Sequence, residues 1–347
     1  MQIKDYQEKD RESWNHYVEG HEEATLFHTV EFKEIVEATF SFRPYYLLAE
    51  SGGEVKGILP LFLCKSFLFG DFLISVPYAV YGGICASDEE AETALFEAAG
   101  KISQKENVNY MELRNSFPGN LGLPTKNLYA YFRLELSDDP EVIWTGMRKR
   151  NRNILRKGIK SGLEIRHAGI GKVDSSSFEE FYHFFARSQR NLGTPVLPVK
   201  FFENIFQTLK ERVSIISALY KGEVASCMMN YYFKDMALPY YIGYDPRFLK
   251  FAVNNFIVWE EIKFCCRAGY KRFDLGRSRV DSGSYSFKKH WGIEPKPLHY
   301  QYALHKAAHM PNISPSNPKY DIPRRIWARL PLPVSKLLGP LLIRHLP

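Results

Sequence analysis

The apolar segments of this chain run through the same order twice. Polar helical sequence reaches to about Gly20, and FHTVEFKEIVEATF follows with Phe32, Ile35, Val36 and Phe40 at helical spacing. PYYLLAE and VKGILPLFLCKS then flank Ser51-Gly52-Gly53, the pattern of a β-hairpin. FLISVPYAVYGGI reads as a further strand, an acidic, Ala-rich helix covers 88–105, and the strands NYMELRNS and YAYFRLEL close the unit. From Asp138 the order restarts. Asp138-Asp139-Pro140 starts a helix with Pro at its first position, and the spacing predicts that it runs to about Ser161, stopped by Gly162. LEIRHAG is a strand, two helices span 177–189 and 199–211, and three strands turn at Lys221-Gly222 and Lys234-Asp235. A long amphipathic helix over about 252–268 leads into the strand KRFDLG.

Helices, an antiparallel meander, then a helix and another strand make the element order of the acyl-CoA N-acetyltransferase (GNAT) fold, here in tandem. The 347 residues exceed what one hydrophobic core ordinarily organises, so two domains also fit the length. The expected architecture is α/β (α+β), with mixed, largely antiparallel sheets. One GNAT-like domain covers 1–137, a second covers 138–305, and a Pro-rich, basic amphipathic tail covers 306–347. The halves share no evident sequence repeat, so duplication rests on element order.

Composition narrows the setting. Hydrophobic content of 45% and charged content of 24% are those of a soluble globular chain. MQIKDYQEKDRESW lacks the basic and apolar regions of a secretory signal, and no apolar run approaches the roughly 18–20 residues of a membrane-spanning helix. The five cysteines form no CxxC pair and no zinc-like spacing with His, so reduced thiols, no metal and a cytoplasmic setting are expected. The net charge of +7 is concentrated at 148–160 and in the tail, where basic patches attract phosphates, nucleic acid or anionic headgroups.

Chemistry-bearing residues gather in 241–300. YIGYDP ends a strand at Tyr244, and the next helix starts near Asn254 and Asn255, whose N-terminal amides can receive an anionic or carbonyl group. KRFDLG delivers the polar loop RSRVDSGSYSFKKHWG. It holds Arg277, Arg279, Lys288, Lys289 and His290 among the hydroxyls of Ser278, Ser282, Ser284, Tyr285 and Ser286, with Trp291 at its end. Cations and hydroxyls beyond a strand end suit an anion-handling site; a solvated basic loop is the plainer alternative. Asp245, Asp274 and Asp281 lie nearby as bases or as partners that orient Arg277 or Arg279, and no general base can be chosen among them.

FDLGRSRVDSGSYSFKKHWGIEPKPLHYQY resembles the FemAB-related proteins encoded with exosortase/PEP-CTERM exopolysaccharide systems. LFGDFLISVPYAVYGGI, MRKRNRNILRKGIKSGLEI and RNLGTPVLP resemble further blocks of the same FemAB aminoacyltransferase family, so the similarity covers nearly the whole chain. The resemblance implies two GNAT-like domains and transfer of an acyl or aminoacyl group to an amine of a cell-envelope precursor, peptidoglycan or exopolysaccharide related. It also implies that the Lys of an FK motif, here Lys288 in FKKHWG, stabilises the tetrahedral intermediate, with Lys289 as fallback. No permanently bound cofactor is implied; the donor is aminoacyl-tRNA in the Fem enzymes, with acyl-CoA or acyl-carrier protein as the GNAT alternative. A noncatalytic envelope-assembly protein is the reading from another class. The stretch 177–212 is too short for the coiled-coil arm that some tRNA-using Fem enzymes carry.

Three other segments bear on binding. Seven Lys or Arg and no acid fall between 148 and 160; Arg148, Arg152 and Arg156 form one stripe, Ile143, Met147 and Ile154 another. Lacking i,i+4 acidic partners, the basic stripe suits tRNA, a nucleotide-linked sugar or phospholipid. RNLGTPVLP, with Arg190, Gly193 and Thr194, reads as a substrate-cleft loop, and YGGI as a glycine-bearing bend or a ligand contact. In the tail, Val334, Leu337, Leu338, Leu341 and Leu342 follow a helical stripe behind Ile326, Trp327 and Leu330, which alternate with Arg324, Arg325 and Arg329. Such a stripe suits the cytoplasmic membrane surface, or else packs on the body of the protein.

Overall fold

Each half of the chain places a short strand and two helices before its main hairpin, and in the second half two further helices precede them. The first half runs β1 (Gln2–Asp5), α1 (Arg11–Gly20), α2 (Val30–Phe40), β2 (Arg43–Ser51), β3 (Glu54–Ser66), β4 (Gly70–Ile74), β5 (Cys85–Ala86), α3 (Glu89–Lys105), β6 (Tyr110–Asn115), β7 (Thr125–Lys126) and β8 (Tyr129–Glu135). The second runs α4 (Pro140–Gly146), α5 (Lys149–Lys160), β9 (Leu163–His167), α6 (Ser175–Asn191), α7 (Val199–Thr208), β10 (Val213–Tyr220), β11 (Glu223–Phe233), β12 (Met236–Tyr244), α8 (Val253–Arg267), β13 (Arg272–Arg279), α9 (Gly283–Lys289), β14 (Lys296–Pro297) and β15 (His299–Leu304). The tail carries α10 (Asp321–Trp327) and α11 (Leu332–Ile343). This computed structural model describes residues 1–67, 69–311 and 318–346. Expectations for Leu68, for 312–317 of the tail and for Pro347 lie outside the described residues.

The sheets match strand for strand. One runs β1-β2-β3-β4-β6-β15-β7, with β5 on β3; the other runs β9-β10-β11-β12-β13-β8-β14. Each has an antiparallel meander, one parallel neighbour (β4 with β6, β12 with β13) and then an antiparallel strand from the other half. The hairpin registers coincide. Ser51 faces Glu54 across Gly52-Gly53 and Tyr220 faces Glu223 across Lys221-Gly222, and each pairing slips just beyond Ala49 or Ala218. Both turns are in the left-handed region, with Gly52 at φ 61° and Lys221 at φ 52°, which suits the twist of a two-residue hairpin.

YAYFRLEL, read above as closing the first unit, therefore adds to the second sheet, and β15 returns to the first. The helix read as continuous over 138–161 is two helices. Met147 is extended (ψ 148°) and buried, which ends α4 and restarts the chain as α5, whose buried face is Asn151, Leu155 and Gly158. The start of the chain also pairs as β1, and FLISVPYAVYGGI is a strand only through Ile74.

The largest apolar cluster joins the halves: Phe27 meets Tyr231 at 6.0 Å and Phe40 of α2 meets Phe201 of α7 at 5.6 Å. α3 covers the outer face of the first sheet, and α8, backed by α4 and α5, covers that of the second. The tail packs on the second half by one side: Ser335, Gly339 and Ile343 are buried, and Lys336 lies over the Tyr182 ring at 4.9 Å.

Candidate active site

β12 and β13 pair only at Met236–Arg272 and Ala237–Phe273. Beyond that they part, and the gap is a cavity of about 500 Å³ lined by Tyr240 and Ile242 from β12, Leu275, Gly276 and Arg277 from β13, and Asn254 and Val258 from α8. The first half supplies the facing wall with Tyr78, Ala79, Val80 and Arg114. Parting strands leave main-chain donors and acceptors free for a ligand.

At the floor, β13 bulges between Asp274 and Arg277, with Gly276 at φ 69°. The buried Asp274 carboxylate shapes this bulge. Its Oδ1 accepts from the Gly276 amide at 2.7 Å, and its Oδ2 accepts from Tyr81 at 2.8 Å and Arg133 at 3.1 Å. The turned-out carbonyls of Gly276 and Arg277 accept from Lys288 Nζ at 3.1 and 2.9 Å. Two of the three ammonium donors are thereby used, leaving one for a ligand. Burial pulls the Lys288 pKa down to about 7; the Asp274 charge opposes this and Arg277 reinforces it. Arg277 donates to Tyr300 Oη at 3.2 Å and lies over the Tyr129 ring at 4.6 Å. Arg114 donates to the Val76 and Ala79 carbonyls at 3.3 and 2.8 Å, and to Glu112 at 2.9 Å.

α8 begins at this cavity. Its cap residue, Ala252, is left-handed (φ 57°) and offers no side-chain acceptor, and the first turn holds no acid. The positive end of the helix is thus open to an anion. Gly158 of α5 packs on Phe256 and Phe251, so the basic helix lies across this same end.

Of the residues singled out from the sequence, Lys288, Arg277, Ser284 and Asn254 line the cavity, and Asn255 sits in the same helical turn. Lys289 is exposed on the far side of α9's last turn. Ser278 is buried against Ser284, Tyr285 packs on Phe132 at 5.2 Å, Arg279 takes the Ser282 hydroxyl on its carbonyl, and Trp291 is buried in the second core. None of these four is on the cavity wall. Tyr244 is held through its backbone by Ser188. The RNLGTPVLP loop is a seat for the tail rather than a cleft loop. Arg190 donates to the Leu330 carbonyl at 3.2 Å, Gly193 leaves no room for a side chain beside Arg324, and Thr194 lines an apolar groove with Pro323, Trp327 and Leu342. Arg148 and Arg156 are exposed, and Arg152 is half-buried, reaching the Thr145 carbonyl at 3.4 Å. Tyr81 of YGGI locks Asp274. Asp245 pairs with Arg187 and Arg247, and Asp281 is exposed. Neither Asp245 nor Asp274 orients Arg277 by a direct bond. Sequence reasoning missed Arg114, Tyr240 and Tyr300, which come from strands and carry no local motif.

A smaller cavity of about 240 Å³ lies in the first half among Glu23, His28, Asp88, Glu92 and Asn115. Burial lowers the His28 pKa to about 4, so the imidazole is neutral and the wall is acidic.

Residues 146–289 match the acetyltransferase (GNAT) domain family. No curated protein sequence matches the chain. Among solved structures, the chain is similar to FemX with a TM-score of 0.67 and 13% identity over 93% of this chain and 100% of that one. It is also similar to a tandem GNAT protein of the clavulanic acid pathway (TM-score 0.56, 11% identity, 90% and 99% covered). The C-terminal domain of a putative lysylphosphatidylglycerol synthetase from Agrobacterium fabrum gives 0.58 at 12% identity, with 85% and 91% covered. Identities this low speak for the fold alone. The chain has a tandem GNAT fold, with residues 146–289 similar to the GNAT acetyltransferase domain.

Proposed function

We propose that this protein is an acyltransferase of the FemAB kind that moves an aminoacyl or acyl group onto an amine of a cell-envelope precursor in the β12–β13 cleft. The observation that carries this reading is the position of Lys288: a half-buried ammonium with a donor to spare, at the floor of a gap that an uncapped helix end also faces. The acceptor amine attacks the donor carbonyl carbon and forms the new C–N bond. The carbonyl electrons move to oxygen, and the Lys288 ammonium meets that oxyanion. Collapse breaks the carbon–oxygen bond of an ester or the carbon–sulfur bond of a thioester, and the amine proton leaves with the released hydroxyl or thiol. Among the described residues that line the cleft there is no carboxylate or imidazole, so Lys288 is the group there whose proton is in play near neutral pH.

Two donors suit different features. The resemblance to FemX and the basic α5 support aminoacyl-tRNA; the parted strands and the open end of α8, which would take a pyrophosphate, support acyl-CoA. Thermal-shift and gel-shift titrations with CoA and with charged tRNA at two salt concentrations separate them. tRNA binding through α5 is expected to weaken steeply with salt. Failure to bind either would leave the fold as an envelope-assembly scaffold and overturn the proposal.

A further inference from the structure

α11 buries the side opposite most of its leucine stripe, with Leu342 at the edge. Ser335, Gly339 and Ile343 face the body, and a Cβ at Gly339 would lie 2.7 Å from Val196 Cγ1. Trp327 turns inward as Ile343 does, but four large apolar side chains point away: Leu337 is 74% exposed, Leu341 59%, Ile322 70% and Ile326 60%. Phe67, from the β3–β4 turn, joins them, with its ring 4.5 Å from that of His345. Single exposed leucines are ordinary, but a gathering of this kind marks a contact surface. Cations surround it. Arg325, Arg329 and Arg344 are exposed, and between 318 and 346 six Lys or Arg stand against one acid, Asp321.

We propose that α10 and α11 seat the protein on an anionic phospholipid bilayer, with the leucines and isoleucines at the headgroup–acyl boundary and the arginines on lipid phosphates. Charge is what selects this occupant. A second copy of the chain, meeting its twin about a twofold axis, would set the same arginines against one another. α11 has 12 residues with Pro340 inside it, so it lies on a bilayer and does not cross it; among the described residues no helix is long and apolar enough to cross. The seat adjoins the cleft. Tyr78, on the cleft wall, donates to the Ile343 carbonyl at 3.1 Å, and Leu346 lines both the cleft and the groove under the tail.

The test is co-sedimentation of the full chain with vesicles of phosphatidylglycerol and phosphatidylcholine, against phosphatidylcholine alone, at low and high salt. The wild type should sediment with the anionic vesicles at low salt and be released by high salt. A Leu337→Glu, Leu341→Glu variant with an unchanged melting curve should bind at least about tenfold more weakly. Arg325→Glu, Arg329→Glu, which leaves the apolar face intact, should lose the preference for anionic lipid. Three results would overturn the proposal: no sedimentation at low salt, undiminished binding by the leucine variant, or concentration-dependent dimers that the leucine variant dissolves. The readout is lipid binding without turnover, so it stands or falls separately from acyl transfer.

Discussion

The two halves share one register and part company at their parallel strands. In the first, β4 and β6 stay paired for three residues, after which the 75–84 segment crosses their ends and gives its Val76 and Ala79 carbonyls to Arg114. In the second, β12 and β13 separate after two pairs, and among the described residues the gap is left as a cavity. The helix after each meander repeats the contrast. α3 is capped by Asp88, which accepts from the Ala91 amide, and carries Glu89, Glu90 and Glu92 in its first turn. α8 has neither cap nor acid. Four carboxylates at a positive helix end neutralise it and repel anions; an uncapped end invites them. One copy of the fold is closed between its parallel strands and keeps only a smaller, acid-lined cavity beside its helix end, and the other is open there and serves as a cleft.

What the halves keep in common is a buried carboxylate on the parallel strand that grips the exchanged strand. Glu112 of β6 accepts from Tyr302 of β15 at 2.9 Å, and Asp274 of β13 accepts from Arg133 of β8. If these are equivalent locks, Glu112→Ala and Asp274→Ala should each cost about 3–5 kcal/mol, because each breaks an ion pair in which the carboxylate is buried and leaves a buried or half-buried arginine without it. Denaturant titration measures this, and a loss confined to one variant would break the symmetry. Next in size is the effect on turnover, where symmetry should fail. Lys288→Ala should lower kcat by about 10²–10³ with the fold retained. With the Lys288 pKa at about 7, kcat/KM should fall as pH rises through that value if the cation does the work. A rate that climbs through the same range would recast Lys288 as a base.

Much of this was legible in the sequence because it is local. Element order, both hairpin turns and the cationic loop that yields Lys288 and Arg277 can all be read from neighbouring residues. The strand exchange cannot, since YAYFRLEL would suit either sheet and its partner is chosen by the whole fold. Duplication is likewise hidden in residue identities and plain in the matched slips after Ala49 and Ala218. Arg114 and Tyr300 escaped notice because single polar residues inside strands usually mark nothing. The tail misled in another way. A helix that is apolar nearly all round has a periodic leucine stripe, but small residues pack closer, so Ser335 and Gly339 took the buried side.

The helix ends offer a smaller and sharper test. Asn254→Asp places an acid where α3 already has several, so anionic donor binding should weaken by about tenfold, in line with the 0.3–2 kcal/mol of a charge at a helix terminus. Replacing Glu89, Glu90 and Glu92 by Gln should not create anion binding in the first half, because the 75–84 segment still closes the gap. Isothermal titration with CoA or charged tRNA reads both. Anion binding by the first-half variant would mean that acidity alone, and not the crossing chain, seals it.

A last test concerns the cost of keeping Lys288 where it is. Its pKa falls from 10.5 in an open chain to about 7 in the folded protein, so the unfolded state holds its proton over a range where the folded state has lost it. Below pH 7 both states are protonated and the folded state bears the whole penalty of burying the charge. As pH rises from about 7 to 10.5 the folded state sheds the proton first and stability recovers. Lys288→Met keeps the stem and removes the charge, at the expense of two hydrogen bonds to the Gly276 and Arg277 carbonyls. The variant should therefore melt higher than the wild type at pH 6, by about 2–4 °C for each kcal/mol relieved, and the gap should close towards pH 10. No equivalent gain is expected in the first half, where Arg114 is buried with its carboxylate partner and stays charged throughout. A melting difference that does not change with pH would show that Lys288 titrates as an ordinary lysine. The pH dependence expected for turnover would then go with it.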